Sequence, residues 1–254
     1  MKDYHKLYNL SDVPLLAAIF ENFGSICLNH YGLDPAWYFG TPGLPWDATL
    51  KITKIQLELL SDSDMLLMIE CGIRGGIATI SHRHAKANNE YMGTEYDPAE
   101  ETIFISYLDA NNLYGWAMSK QLSTSRFKWM TDDEIDDWKH MSCFPEVDLE
   151  YPEDENDLHN HYPLASERIE IRNVEKLIPN LNNKTNCVVH YEKLKLYESL
   201  GLKITKIHRG TKFEESAWLE EYIKLNTKLR IEAKEFGNNF EVDFFKANEQ
   251  FCLR

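Results

Sequence analysis

Long apolar runs are what this chain has least of. The longest, Val13 to Phe20, is interrupted by Pro14 and falls short of the ~20 residues that cross a bilayer, so no membrane span is expected. The amino end lacks a basic segment followed by an apolar one, which speaks against secretion. Cysteine is sparse: Cys27, Cys71, Cys143, Cys187 and Cys252 are odd in number and show no C-x-x-C spacing. That pattern fits reduced thiols and an intracellular compartment, not a disulfide scaffold. Positive charge is short as well, 27 Lys and Arg against 41 Asp and Glu, for a net −14. There is no internal repeat and no low-complexity linker. What is present, 43% hydrophobic and 12% aromatic residues over 254 positions, suffices for one large domain or two small ones.

The spacing of apolar residues predicts the elements. Ser11 is placed to cap a helix over 12–30, with Leu15, Leu16, Ile19, Phe20 and Phe23 on one face. Short helices are expected over 42–50 and, behind Ser61-Asp62-Ser63-Asp64, over 65–70. Strands should follow over 75–82 and 102–109. In the second, Ile103, Ile105 and Tyr107 alternate with Phe104, Ser106 and Leu108, so both faces are largely apolar and the strand belongs at the middle of a helix-covered sheet. A helix over 112–118, a Thr131-to-Glu134 capping box with its helix ending near His140, and a strand over 147–151 come next. Residues 187–200 read as helical and closed by Gly201, and 202–208 as a strand. The longest helix is expected from Ser216 to a stop at Gly237, with Trp218, Tyr222, Leu225, Leu229 and Phe236 along one core-facing stripe. The fold class is α/β, in its α+β form.

The strand over 102–109 ends on Asp109 and turns into Ala110-Asn111-Asn112-Leu113-Tyr114-Gly115. A rigid strand holding out a lone carboxylate suits a divalent ion that bridges substrate phosphates, although a strand ending in Asp is common in any α/β protein. The neighbours add specificity. The segment resembles motif A (D-x-x-S-L-Y) of family B DNA polymerases, in the organellar, viral and transposon-borne branch that starts synthesis from a protein primer. Gly72-Ile73-Arg74-Gly75-Gly76 resembles that branch's Y-x-G-G element between exonuclease and polymerase domains. Tyr8-x-x-x-Asp12 is similar to the last exonuclease motif, and Asn239 to Lys246 to the approach to motif B. Tyr151-Pro152-Glu153-Asp154, Tyr162-Pro163-Leu164-Ala165, Leu196 to Leu202 and His208-Arg209-Gly210 also follow the family's text. After Lys246 the likeness ends: Gln250-Phe251-Cys252-Leu253-Arg254 stand where the family has Asn-Ser-x-Phe-Gly, and no D-T-D of motif C follows.

The resemblance implies a partial palm sheet with covering helices, preceded by the tail of a ribonuclease H-like exonuclease domain. It divides the chain into 1–30 (exonuclease end), 31–101 (linker and start of palm), 102–130 (palm with motif A), 131–190 (an acidic insertion between motifs A and B) and 191–254 (palm continuation and start of fingers). Asp109 is then the catalytic ligand of two Mg2+ ions, with the Ala110 carbonyl beside it. Asn112, Leu113 and Tyr114 belong to the nucleotide site; Tyr114 lies beneath the sugar and excludes ribose, and Lys246 meets the triphosphate. Asp12 with Tyr8 is a remnant of the exonuclease metal site. Read from the residues themselves, Arg74, Gly75, Gly76, Arg83 and Lys86 place charges beside flexible positions and are either template and primer contacts or a solvated basic loop. Lys206 and Arg209 belong to the densest positive stretch, 193–212, and are the best candidates for backbone contacts. The implied partners are template and primer DNA, deoxynucleotides and a terminal primer protein. A two-metal centre needs a second carboxylate, so this chain alone is expected to polymerise nothing, with Asp148 and Glu150 as the first alternatives to examine.

Two functional classes stay open: part of a DNA-directed DNA polymerase that replicates a virus, linear plasmid or transposon, and an inactive relic that keeps only DNA or partner binding. Continuation of the transcript into motifs B and C separates them. The −14 charge is awkward for a DNA-binding protein, but twelve acids against Lys139 alone put −11 into residues 131–157. That stretch is either a protein-facing surface or a solvated acidic face, and is expected to project as a helix plus edge strand away from the duplex. His82-x-His84 and His159-x-His161 read as ordinary surface histidines, because neither has a nearby third zinc ligand.

Overall fold

The computed structural model describes residues 2–40 and 42–251. In chain order they form α1 (Lys2–Tyr31), α2 (Gly43–Thr53), α3 (Ser63–Gly72), α4 (Leu113–Met118), β1 (Leu122–Trp129), α5 (Asp132–Asp136), β2 (Cys143–Glu150), α6 (Asn156–His159), β3 (Glu167–Ile171), β4 (Val174–Ile178), β5 (Lys184–Val188), α7 (Tyr191–Ser199), β6 (Lys203–Ser216), α8 (Glu220–Glu235) and α9 (Asn239–Phe251). The mixture of helices with an antiparallel sheet is α+β. Residues 1–57, 111–122 and 216–254 gather into one compact unit, and 58–110 with 123–215 into another.

The first unit is helical. Tyr31, Ala48, Met118, Tyr222, Ile223 and Phe245 form its core. Gly237, at φ +70°, ends α8 and lets Asn238 N–H bond back to the Ala233 carbonyl at 2.9 Å, so that α9 returns against α8. A buried polar chain runs through this core: Asn248 Nδ2 donates to the Tyr31 hydroxyl at 3.0 Å, and that hydroxyl donates to Asn226 Oδ1. One expectation fails in α1. Ser11 is no cap, because its hydroxyl bonds the Leu7 carbonyl at 3.0 Å and the helix runs through it. The helix expected over 12–30 forms through Pro14 and starts earlier, at Lys2; by length and composition it could cross a bilayer, an 18-residue window within it having a mean hydropathy of 1.2. Core helices of soluble proteins meet the same test of length and composition.

The second unit is built on a four-stranded sheet in the order β1-β6-β2-β5. Along β2, Cys143, Pro145, Val147 and Leu149 are buried while Phe144, Glu146, Asp148 and Glu150 face partly outward. The buried row packs with Leu194 and Tyr197 of α7 and with Leu202. The Thr131–Glu134 capping box forms, and Asp62 caps α3 by accepting from Asp64 and Met65 N–H. Residues 184–188 pair with β2 instead of starting a helix, which begins only at Tyr191. The β-branched Val188 and Val189, next to Cys187, suit a buried sheet position better than a helix start. A hairpin, β3–β4, turns at Arg172-Asn173 with both φ positive, as a two-residue I′ turn requires.

The strands expected over 75–82 and 102–109 do not form. Asn88 and Ile103 make one isolated bridge, and 104–110 are exposed. A strand apolar on both faces needs ladder partners and two covering layers. Neither sheet among the described residues reaches residues 104–110.

Candidate functional site

The residues nearest to the motif A pattern divide between the two units. Asp109 and Ala110 are exposed in the second, and Asn111 onward belongs to the first. Asn112 takes the left-handed conformation, φ 52° and ψ 40°, and its carbonyl accepts from Trp116 N–H at 2.9 Å to open α4. Asn tolerates that region far better than Ser does, which gives a physical reason for Asn at this place. Gly115 is buried against it: a Cβ there would come within 2.5 Å of Asn112 Nδ2. A side chain at 115 would therefore require the Asn112 side chain to move.

Within the first unit, α4 and its entry loop form one wall of a groove of about 550 Å³ and α8 forms the other. Asn112, Gly115 and Trp116 face Lys224, Thr227 and Lys228 there. Lys224 and Lys228 are one helical turn apart, so their ammonium groups share a face. Each holds only an exposed partner on its own helix, Glu220 at 2.6 Å and Glu232 at 3.7 Å. The Lys224 hydrogen bond keeps the Glu220 carboxyl below its ordinary range. These two lysines are not among the contacts expected from the sequence; their i, i+4 spacing on the helix ahead of Lys246 is the signal that marks them. Leu113 and Tyr114 are exposed beside the groove segment, and Lys246 is exposed on α9. Asp12 and Tyr8 are exposed one turn apart on α1. Cys252 to Arg254, where the motif B likeness ends, lie outside the described residues.

The nominated DNA contacts have differing surroundings. Arg74 is engaged within its own unit, with Nε on the Ser166 carbonyl at 2.8 Å, Nη1 on the carbonyls of Gly72 and Val188, and Nη2 on Cys187 Sγ. Gly75, Gly76, Arg83 and Lys86 are exposed. Arg209 lies over the Trp129 ring at 5.3 Å and donates to Glu146 Oε2 at 2.6 Å. Lys206 stands opposite Asp148 in the ladder.

That ladder corrects the picture of the acidic stretch. β2 lies inside the sheet, not at its edge, and its acids meet the basic strand β6: Glu146 with Arg209, Asp148 with His208 at 2.9 Å and Glu150 with Lys203 at 3.5 Å. Lys212 pairs with Glu134, whose carboxyl that bond holds low. Three of the twelve acids, Glu134, Glu146 and Glu150, are thus matched by cations of β6, and Asp148 by His208. Asp148 and Glu150 are committed to these pairs.

A pH consequence follows. The His208 hydrogen bond, then that from Asn186 N–H, lowers the Asp148 carboxyl below its ordinary value. A carboxylate depressed on folding contributes stability above its unfolded pKa, and that contribution is lost as pH falls through the folded value. Asp148→Asn should therefore be less stable than the parent at pH 7, with the difference closing below about pH 4 in urea titrations across pH.

A family model for DNA polymerase type B, organellar and viral, matches residues 84–247. The chain belongs to that family. No curated protein and no solved structure matches it. Its membership makes DNA polymerisation in replication the activity of the type B domain to which the chain contributes, with DNA and deoxynucleotides as that domain's partners. The donor chemistry of Asp109 in this polymerase chain, a hard carboxylate, fits Mg2+. No group of three metal-ligating side chains occurs among the described residues, so Asp109 would hold an ion only together with further ligands.

Proposed function

We propose that the chain is the palm-to-fingers segment of a protein-primed, DNA-directed DNA polymerase from a virus, linear plasmid or DNA transposon. The observation that carries this reading is the groove in which the motif A-like turn faces Lys224 and Lys228. Two cations one turn apart can meet phosphate oxygens by leaving Glu220 and Glu232, of which Glu232 lines the groove together with Glu235, so bound Mg2+ would have to neutralise the rest of the phosphate charge; the turn's small residues leave room for a sugar. In this reading Tyr114 bars the 2′-hydroxyl and Lys246 adds a third cation. Asp109, with the Ala110 carbonyl, would hold Mg2+, which when bound supplies activation of the primer hydroxyl and neutralises phosphate charge. Arg83, Lys86, Lys206 and Arg209 are the DNA-backbone candidates; Arg74 would act by ordering its loop. Tyr8 and Asp12 are read as the exonuclease remnant.

The test uses the complete polymerase carrying this chain. Lys224→Ala with Lys228→Ala should raise the deoxynucleotide KM about tenfold or more, corresponding to roughly 1.4 kcal/mol of lost binding. An unchanged KM would remove the groove from the nucleotide site. A second reading, a relic that binds DNA or a partner without chemistry, draws on the single exposed carboxylate at Asp109 and the missing three-ligand cluster among the described residues. Incorporation of deoxynucleotides dependent on Asp109 would eliminate it.

A further inference from the structure

Two histidines far apart in sequence meet in the second unit. His82 follows the Gly75-Gly76 segment and His161 follows α6. Their ring centroids are 4.1 Å apart with planes at 38°, and their Nε2 atoms are 3.2 Å apart. Both residues are exposed, so the pair is open to ions from solvent. Each neutral imidazole has one acceptor nitrogen, and which nitrogen carries the proton is set by tautomer. One N–H···N bond can join the two rings as they stand. With both protons on Nδ1, each Nε2 carries a free lone pair, although in the observed ring orientations the two lone pairs do not meet at one point.

We propose that His82 and His161 bind a first-row transition dication of the Zn2+ class. Two imidazole nitrogens on a tetrahedral ion, each about 2.0–2.1 Å from it, stand about 3.3–3.4 Å apart. The observed 3.2 Å approximates that separation, but rings sharing such an ion have centroids about 5 Å apart against the 4.1 Å seen, so both exposed rings must turn outward to admit it. Imidazole donors favour Zn2+, Ni2+ or Cu2+ over Mg2+, which keeps the site distinct from that of a polymerase ion. No third metal-ligating side chain joins the pair among the described residues, so water completes the coordination and the ion exchanges readily. Its structural effect is to pin the irregular stretch around His82 to the chain after α6. His159, two residues away, is buried against Tyr151 at 5.5 Å with neither ring nitrogen partnered among the described residues. It takes no part in the site.

Calorimetric titration of Zn2+ into the tag-free, chelator-treated chain provides the test. The parent should bind one equivalent with a Kd on the order of micromolar, far weaker than closed four-ligand sites. His82→Ala or His161→Ala should weaken binding at least about tenfold, whereas His84→Ala should leave it unchanged and millimolar Mg2+ should not compete. Cu2+ added to the parent should give an electron paramagnetic resonance spectrum with two nitrogen ligands, a readout that survives a variant's failure to fold. No binding by the parent, binding unaltered by both substitutions, or a spectrum with oxygen ligands alone would overturn the proposal.

Discussion

Asp109→Ala, made in the complete polymerase that carries this chain, is expected to lower the rate of deoxynucleotide incorporation by at least about a thousandfold, roughly 4 kcal/mol of transition-state stabilisation. In the proposed reading the substitution removes a hard oxygen ligand that the methyl group of alanine cannot replace. Because Asp109 is exposed, truncating it opens no cavity, and circular dichroism and melting should match the parent. Primer–template affinity should also be nearly unchanged, since one exposed acid contributes little to phosphate binding. Tyr114→Ala is the companion test. Its ring is 67% exposed, so loss of the ring should spare the fold and the rate with deoxynucleotides while raising ribonucleotide incorporation. Incorporation retained within tenfold in the Asp109 variant would remove Asp109 from the chemistry and leave the groove as a binding feature alone.

The parts of this molecule legible in its sequence are those fixed by a few adjacent residues. The capping box at Thr131, the Asp62 cap and the stops at Gly201 and Gly237 each depend on one local hydrogen bond or one positive φ. Strand partners depend on residues far away. β2 alternates clearly, yet nothing within 147–151 says that it lies between β6 and β5. The acids of residues 131–157 looked like a repelling surface because the bases that meet Glu146, Asp148 and Glu150 are more than fifty residues later, on β6. The groove had the same obscurity. Residues 111–119 could be matched to a motif, but Lys224 and Lys228 became relevant only when α8 lay across from α4. One unit assembled from three separated stretches and another from two leave no composition boundary to detect.

The stretch 102–109 is where sequence pattern and structure differ most, and two leucines measure that difference. Leu194 on α7 is fully buried at 0% exposure among Val147, Leu149, Tyr197 and Leu202. Leu194→Ala should cost about 3 kcal/mol through lost transfer energy and an unfilled cavity. Against a typical domain stability of about 5–15 kcal/mol, that is enough to shift a urea midpoint plainly. Leu108 is 89% exposed and Tyr107 95%, so Leu108→Ala should change stability by less than about 0.5 kcal/mol. Alternation of apolar residues on both faces argues instead for a central strand, in which Leu108→Ala would cost as much as the α7 substitution. Urea unfolding of the two variants, with equal slopes, decides between these. A cost above about 2 kcal/mol at Leu108 would mean that residues 102–109 are buried in solution, because only packed atoms can lose that much.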